Sequence, residues 1–205
     1  MKKYLIAPLL VTAFMLAGFN GRAADYVSYI SQPGSKMRME GTSTIHDWHA
    51  ETKLIGGLFE VDSAVDLTSI PKGKVDARVK TLIIVSSFSC SSGSAMDRVM
   101  RDAMKAEKHR FIKFELDELT AKGKEKDATV LDAKGKLSVA GVTKPVQFPV
   151  NLSVMAGGKA TFSGSTKIKM TDFGIQPPSP AIGLGLIKTG DDVTLKFEWK
   201  VIRRK

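Results

Sequence analysis

The chain has 205 residues, 43% of them hydrophobic and 25% charged, and 31 Lys and Arg against 21 Asp and Glu give a formal net charge of +10. That length allows one domain with a sizeable core. The single cysteine excludes an intramolecular disulfide, and three histidines beside it are a poor supply for a zinc site, which needs three or four converging ligands.

Residues 1–23 read as a secretory signal peptide. Lys2 and Lys3 give a positive start, Leu5 to Phe19 is a nearly unbroken apolar run, and Gly21 and Ala23 put small residues at −3 and −1. Cleavage after Ala23 is expected, and no cysteine follows to carry a lipoprotein anchor. Without Lys2, Lys3 and Arg22 the balance is 28 cations to 21 anions, or +7. The expected location is the bacterial periplasm, with residues 24–205 as a single domain. The lysines are scattered singly through predicted strands and turns, as on solvated faces, so no nucleic-acid partner is expected.

His46-Asp47-Trp48-His49 is the first polar cluster. On a regular strand His46 and Trp48 share one face and His49 the other, so the two histidines do not chelate one metal. Gly56-Gly57 sits in a strand-like stretch and predicts a bulge or sharp bend. Val75, Ala77 and Val79 alternate with charged residues. Cys90 lies in a serine-rich turn before a predicted helix, where a dipole can activate a thiol, but no base stands nearby in sequence.

A helix is predicted over about 94–107. Met96, Val99, Met100, Ala103 and Met104 fall on one face, the charged residues fall on the other, and Ser94 with Asp97 reads as an N-terminal capping box. Beyond it come alternating strands through Ile112-Phe114-Leu116, Val146-Phe148-Val150-Leu152-Val154 and Val193-Leu195-Phe197-Trp199-Val201, and a weaker one through Phe162 to Met170. Turns are expected at 32–35, 71–73, 122–126, 132–135, 156–159 and 189–191. Pro177, Pro178 and Pro180 lead into the apolar, glycine-rich segment 181–187, either core under the helix or a gate at a barrel mouth. The pattern suits a sandwich or a closed barrel with the helix as its plug.

Several landmarks resemble the YceI-like family. They are Ser43-Thr44-Ile45-His46-Asp47-Trp48, Gly57-Leu58-Phe59, Met96-Asp97 with its helix, Gly135-Lys136-Leu137 running to Gly141-Val142-Thr143-Lys144-Pro145, and Asp172-Phe173-Gly174-Ile175. Arg110 stands where many members have proline, Thr171 where an Arg is common, and the proline-rich loop is longer than usual. The resemblance implies a mainly β fold, an extended lipocalin-like antiparallel β-barrel with one main amphipathic helix near its mouth. It also implies a polyisoprenoid, isoprenoid quinone or fatty-acyl ligand.

On that basis the cavity or gate is expected to use Trp48, Phe88, Met96, Met100, Met104, Phe114, Phe148, Phe173, Ile175, Leu184, Leu186 and Phe197, with His46 and Lys188 at a polar mouth. No metal, cofactor or catalytic residue is expected. A non-catalytic carrier competes with a side-chain-filled interaction module exposing 182–187, and with an enzyme using His46, Asp47 or Cys90. A homodimer and transient contact with a membrane surface stay open as partners.

Overall fold

Period-two alternation of apolar and polar residues gives each strand one dry face, and the chain buries these faces by wrapping a sheet on itself. The computed structural model describes residues 25–179 and 187–205. Within them lie β1 (Tyr26–Ser31), β2 (Lys36–Ser43), β3 (Trp48–Thr52), β4 (Ile55–Asp62), β5 (Gly73–Val75), β6 (Ala77–Ile84) and β7 (Ser89–Cys90). Helix α1 (Ser94–Ala103) follows, then β8 (Phe111–Glu125), β9 (Ala128–Val139), β10 (Val142–Met155), β11 (Lys159–Lys169) and β12 (Thr189–Arg203).

Eight strands close an antiparallel barrel in the order β1-β4-β6-β8-β9-β10-β11-β12, and β12 returns to β1 through Tyr29↔Arg203, Ile30↔Ile202 and Ser31↔Val201. The other half of β12 pairs with β2, from Thr189↔Ser43 to Glu198↔Lys36. β2 carries on to β3 and β3 to β7. Three long strands are therefore broken at one level: β1/β2 at Gln32–Ser35, β4/β3 at Lys53–Leu54, and β6/β7 at a 3-10 turn, Val85–Ser87. Below the breaks the ring is closed. Above them β2, β3 and β7 splay away, and α1 fills the space between β7 and β8.

The β1/β2 break leaves no backbone polar group of Lys200 stranded. Its carbonyl accepts from the Gln32 amide (2.8 Å) and its amide donates to the Ser35 hydroxyl (3.0 Å). Ser35 is 1% exposed, so the hydroxyl stands in for a missing ladder partner. Two aromatic clusters fill the barrel: Phe59, Phe162 and Trp199 at the closed end, and Phe114, Phe148 and Phe197 higher up. Trp199 buries its indole and donates from Nε1 to Ser31 Oγ at 2.7 Å.

Several sequence expectations need correction. The helix ends at Ala103, not near 107, because Lys105 takes a positive φ of 53° and the chain continues in turns. Ser94 is not its cap: Gly93 holds that position with no side-chain cap, and Asp97 Oδ1 accepts instead from the Cys90 amide at 2.6 Å. Residues 132–135 are not a turn, since β9 runs straight through them. Thr189–Asp191 begins β12. Gly56-Gly57 makes no bulge, because β4 keeps register with β6 from Ile55↔Ile83 to Val61↔Ala77.

Gly57 has a different task. A Cβ there would lie 2.7 Å from the Lys80 carbonyl oxygen and 2.9 Å from Trp199 Cζ2. Gly135 gives way in the same manner to Phe114, and Gly164 to Phe197, each with ring carbons 2.8 Å from a virtual Cβ. Glycines thus let aromatic rings lie flat on a neighbouring strand. Gly56 points the other way, with only the Leu82 carbonyl near, at 3.5 Å. Gly57→Ala is expected to destabilise the barrel by about 1–3 kcal/mol through overpacking. Gly56→Ala should stay within about 0.5 kcal/mol. Urea denaturation of the two variants checks the contrast, and equal losses would remove the packing explanation.

Candidate functional site

The splayed upper strands and the closed lower ring enclose two adjoining cavities. The lower, about 110 Å³, lies inside the barrel. Its wall carries Phe114, Phe148, Phe197, Leu131 and Leu137, with Thr81 and Thr166 as its hydroxyl-bearing residues. The upper, about 160 Å³, lies between α1 and the strands above the breaks. Ile112 and Leu195 line both, so the two spaces lie on either side of these side chains. A buried water needs about 10–15 Å³ by comparable measure, so neither is a mere packing defect.

Helical spacing aims the dry face of α1 into the upper cavity. Met96, Val99, Met100, Ala103 and Met104 all line it, and Met104 is 6% exposed. Met39 and Met170 reach it from β2 and from the end of β11, giving five thioethers in one wall. Trp48 adds its indole, with Nε1 donating to the Thr42 carbonyl at 3.0 Å. Phe173 and Ile175 enter from the turn that follows β11. That turn is pinned twice. Thr171 Oγ1 donates to Asp191 Oδ2 at 2.7 Å, which with the Thr171 amide holds the Asp191 carboxyl below its usual pKa, and Lys105 Nζ donates to the Gly174 carbonyl at 3.2 Å.

The polar lining of the upper cavity comes from Ser43, His46, His49, Cys90, Ser92 and Thr189. His46 is not on a strand with Trp48, as the alternation implied. It sits in a turn closed by Ser43, whose hydroxyl donates to the His46 carbonyl (2.7 Å) and accepts from the His46 amide (3.2 Å). His49 lines the cavity from β3, its backbone amide donating to Ser91 Oγ at 3.3 Å. The His46 Nδ1 lies 2.9 Å from the Asp47 carbonyl oxygen, which can only accept, so Nδ1 is the donor in that contact.

The sequence-predicted residues therefore divide. Trp48, Met96, Met100, Met104, Phe173, Ile175 and His46 meet at the upper cavity, and Phe114, Phe148 and Phe197 at the lower. Phe88 lines neither: it is 0% exposed in the core, at the end of the 3-10 turn that breaks β6 from β7. Lys188 is exposed and lines neither, its backbone amide bonded to Thr44 Oγ1 at 3.2 Å. Leu184 and Leu186 lie outside the described residues, as do residues 1–23. Asp47 is exposed and apart from both cavities. Met39 and His49 were missed as site residues. The alternation Met37-Arg38-Met39-Glu40 carried the signal for Met39, whereas alternation puts His49 on the face opposite Trp48 and gave no signal for it.

Cys90 is not the activated thiol its place before a helix suggested. Burial, then the hydrogen bond and negative charge of Asp97, push it up to about 12. Its Sγ lies 3.9 Å from Met100 Sδ, as a neutral thiol donating to a thioether. No group of three or more His, Cys, Asp or Glu with metal-binding geometry occurs among the described residues.

A profile of the YceI-like domain matches residues 30–201. A UPF0312 protein of Pseudomonas savastanoi pv. phaseolicola is 30% identical over 195 residues, covering 88% of this chain and 91% of its own. A UPF0312 protein of Shewanella baltica (strain OS155) is 28% identical over 202 residues, covering 93% and 98%. Among solved structures, a polyisoprenoid binding domain from Saccharophagus degradans aligns with a TM-score of 0.65 at 12% identity, covering 88% and 99%. Burkholderia cenocepacia BcnA aligns with a TM-score of 0.62 at 20% identity, covering 81% and 95%.

The thiol chemistry is checked by iodoacetamide alkylation of folded protein at pH 8. Cys90 should react at least about a hundredfold more slowly than a free cysteine, whose thiolate is abundant there. Because the folded pKa is raised, the unfolded chain loses its proton first as pH climbs. The stabilising effect of the neutral thiol is complete below the ordinary thiol pKa and fades between there and about 12. Asp97→Asn should speed alkylation, because it removes a charge that opposes the thiolate.

Proposed function

This chain belongs to the YceI-like family, and from that premise we propose that it binds a long-chain apolar ligand in its barrel without chemical transformation. The ligand classes that fit are a polyisoprenoid, an isoprenoid quinone or a fatty-acyl lipid. The observation carrying this reading is a pair of apolar cavities, one inside the barrel and one under α1, that share Ile112 and Leu195 in their walls. Each methylene moved from water into such a wall contributes about 0.8 kcal/mol, so a tail of some ten carbons is held without any charged contact.

Apart from Thr81 and Thr166, the polar lining residues belong to the upper cavity, so the ligand enters tail first and leaves its head beside Ser43, His46 and His49. The Met face of α1 suits a variable tail, since thioethers repack easily. Catalysis is disfavoured because the thiol in the cavity is shifted away from the thiolate. A side-chain-filled module is disfavoured by the cavities themselves. Residues 1–23 fit an export signal, and we place the protein in the bacterial periplasm.

Mass spectrometry of an organic extract of the detergent-free purified protein tests this. A stoichiometric long-chain lipid or quinone is expected. Ala133→Phe, which projects a ring into the lower cavity wall, should lower its occupancy at least about tenfold while the fold persists. A clean extract together with no uptake of added isoprenoid would sink the proposal.

A further inference from the structure

We infer that the outer wall of the barrel, across β1, β4, β6 and β8, docks on an anionic lipid surface. The register puts Ile30, Leu82, Ile84 and Phe111 on that wall, and Leu54 directly precedes Ile55, the partner of Ile83. Ile30 stands opposite Leu58, Gly56 opposite Leu82, and Ile84 opposite Phe111. Leu54 is 57% exposed, Leu82 47%, and the other three 38–39%. At about 200 Å² per large side chain they leave roughly 450 Å² of apolar surface, as large as the functional patches of monomeric proteins.

Charge selects the occupant. Lys53 adjoins Leu54, Arg110 adjoins Phe111, and Lys113 stands directly opposite Leu82. None of the three is in an ion pair among the described residues, whereas Lys80 at the next row is joined to Glu115 at 3.1 Å. A second copy of this chain in two-fold contact would set these cations against themselves. The patch is also about half of the 800 Å² per partner that a standard protein interface buries. A bilayer carrying anionic headgroups needs no such area: it accepts a few apolar side chains and pairs with the cations around them.

The position suits exchange with a membrane. Ile83 and Ile112, the inward neighbours of these outward residues, line the cavities. The β6–β8 ladder ends at the Ile84↔Phe111 pair, where the wall parts and α1 takes over. The inference does not depend on what the cavities hold, since the patch lies outside them.

The test uses an environment-sensitive fluorophore on Leu82→Cys, attached at neutral pH where Cys90 stays protonated. Lys167→Cys, exposed on the far wall, is the matched control. The Leu82 label should shift to the blue with vesicles of phosphatidylethanolamine and phosphatidylglycerol, and not with phosphatidylcholine alone. The Lys167 label should not respond. Lys113→Glu in the Leu82→Cys chain should weaken partitioning at least about fivefold. No shift at Leu82 would overturn the proposal, as would equal shifts at both labels. A shift in buffer alone that grows with protein concentration would assign the patch to a second copy and overturn it too.

Discussion

The whole architecture turns on Lys200. At that residue β12 stops pairing with β2 and starts pairing with β1, and a change of partner normally strands backbone groups. Ser35 and Gln32 take the amide and carbonyl of Lys200, so one strand serves two neighbours without loss. Below, β1 closes the ring. Above, β2 is free to diverge with β3 and β7. The space created by that divergence is the upper cavity, and α1 is long enough to cover it and no longer. Weakening the Ser35 contact would therefore act on the cavity shape as much as on stability.

The two cavities have walls of different character. In the lower, rings are fixed by glycines on adjacent strands: Gly135 under Phe114 and Gly164 under Phe197. A ring pressed on backbone has few places to go, so this wall is rigid. In the upper, unbranched methionines on α1 and the strands leave many rotamers of similar energy. A tail reaching into the barrel meets a fixed shape at depth and an adaptable one near the polar end. Firm shape and tolerance are thus divided between the two ends of one fold.

Much of this was legible in the sequence. The helical spacing of Met96, Met100 and Met104 identified the wall they line, and the alternation around Phe114, Phe148 and Phe197 gave inward faces. What misled was glycine. Gly135 read as the end of a turn because its partner, Phe114, lies on another strand more than twenty residues away, and local pattern carries no record of such a neighbour. Phe88 failed for a related reason. Its apolarity is that of any core ring, and the β6/β7 break at which it is buried is a tertiary feature. His49 lines the cavity beside its strand neighbour Trp48, although strict period-two alternation would put the two on opposite faces.

The thioether wall has a chemical consequence of its own. Met39, Met96, Met100, Met104 and Met170 are the groups of the upper cavity most open to attack by peroxide, while the lower cavity offers Met37 alone. Conversion to sulfoxide replaces a soft apolar atom with a strong dipole. An oxidant would thus turn the upper chamber hydrophilic and leave the lower one nearly untouched. The same atoms that make this wall adaptable make its polarity sensitive to the redox history of its surroundings.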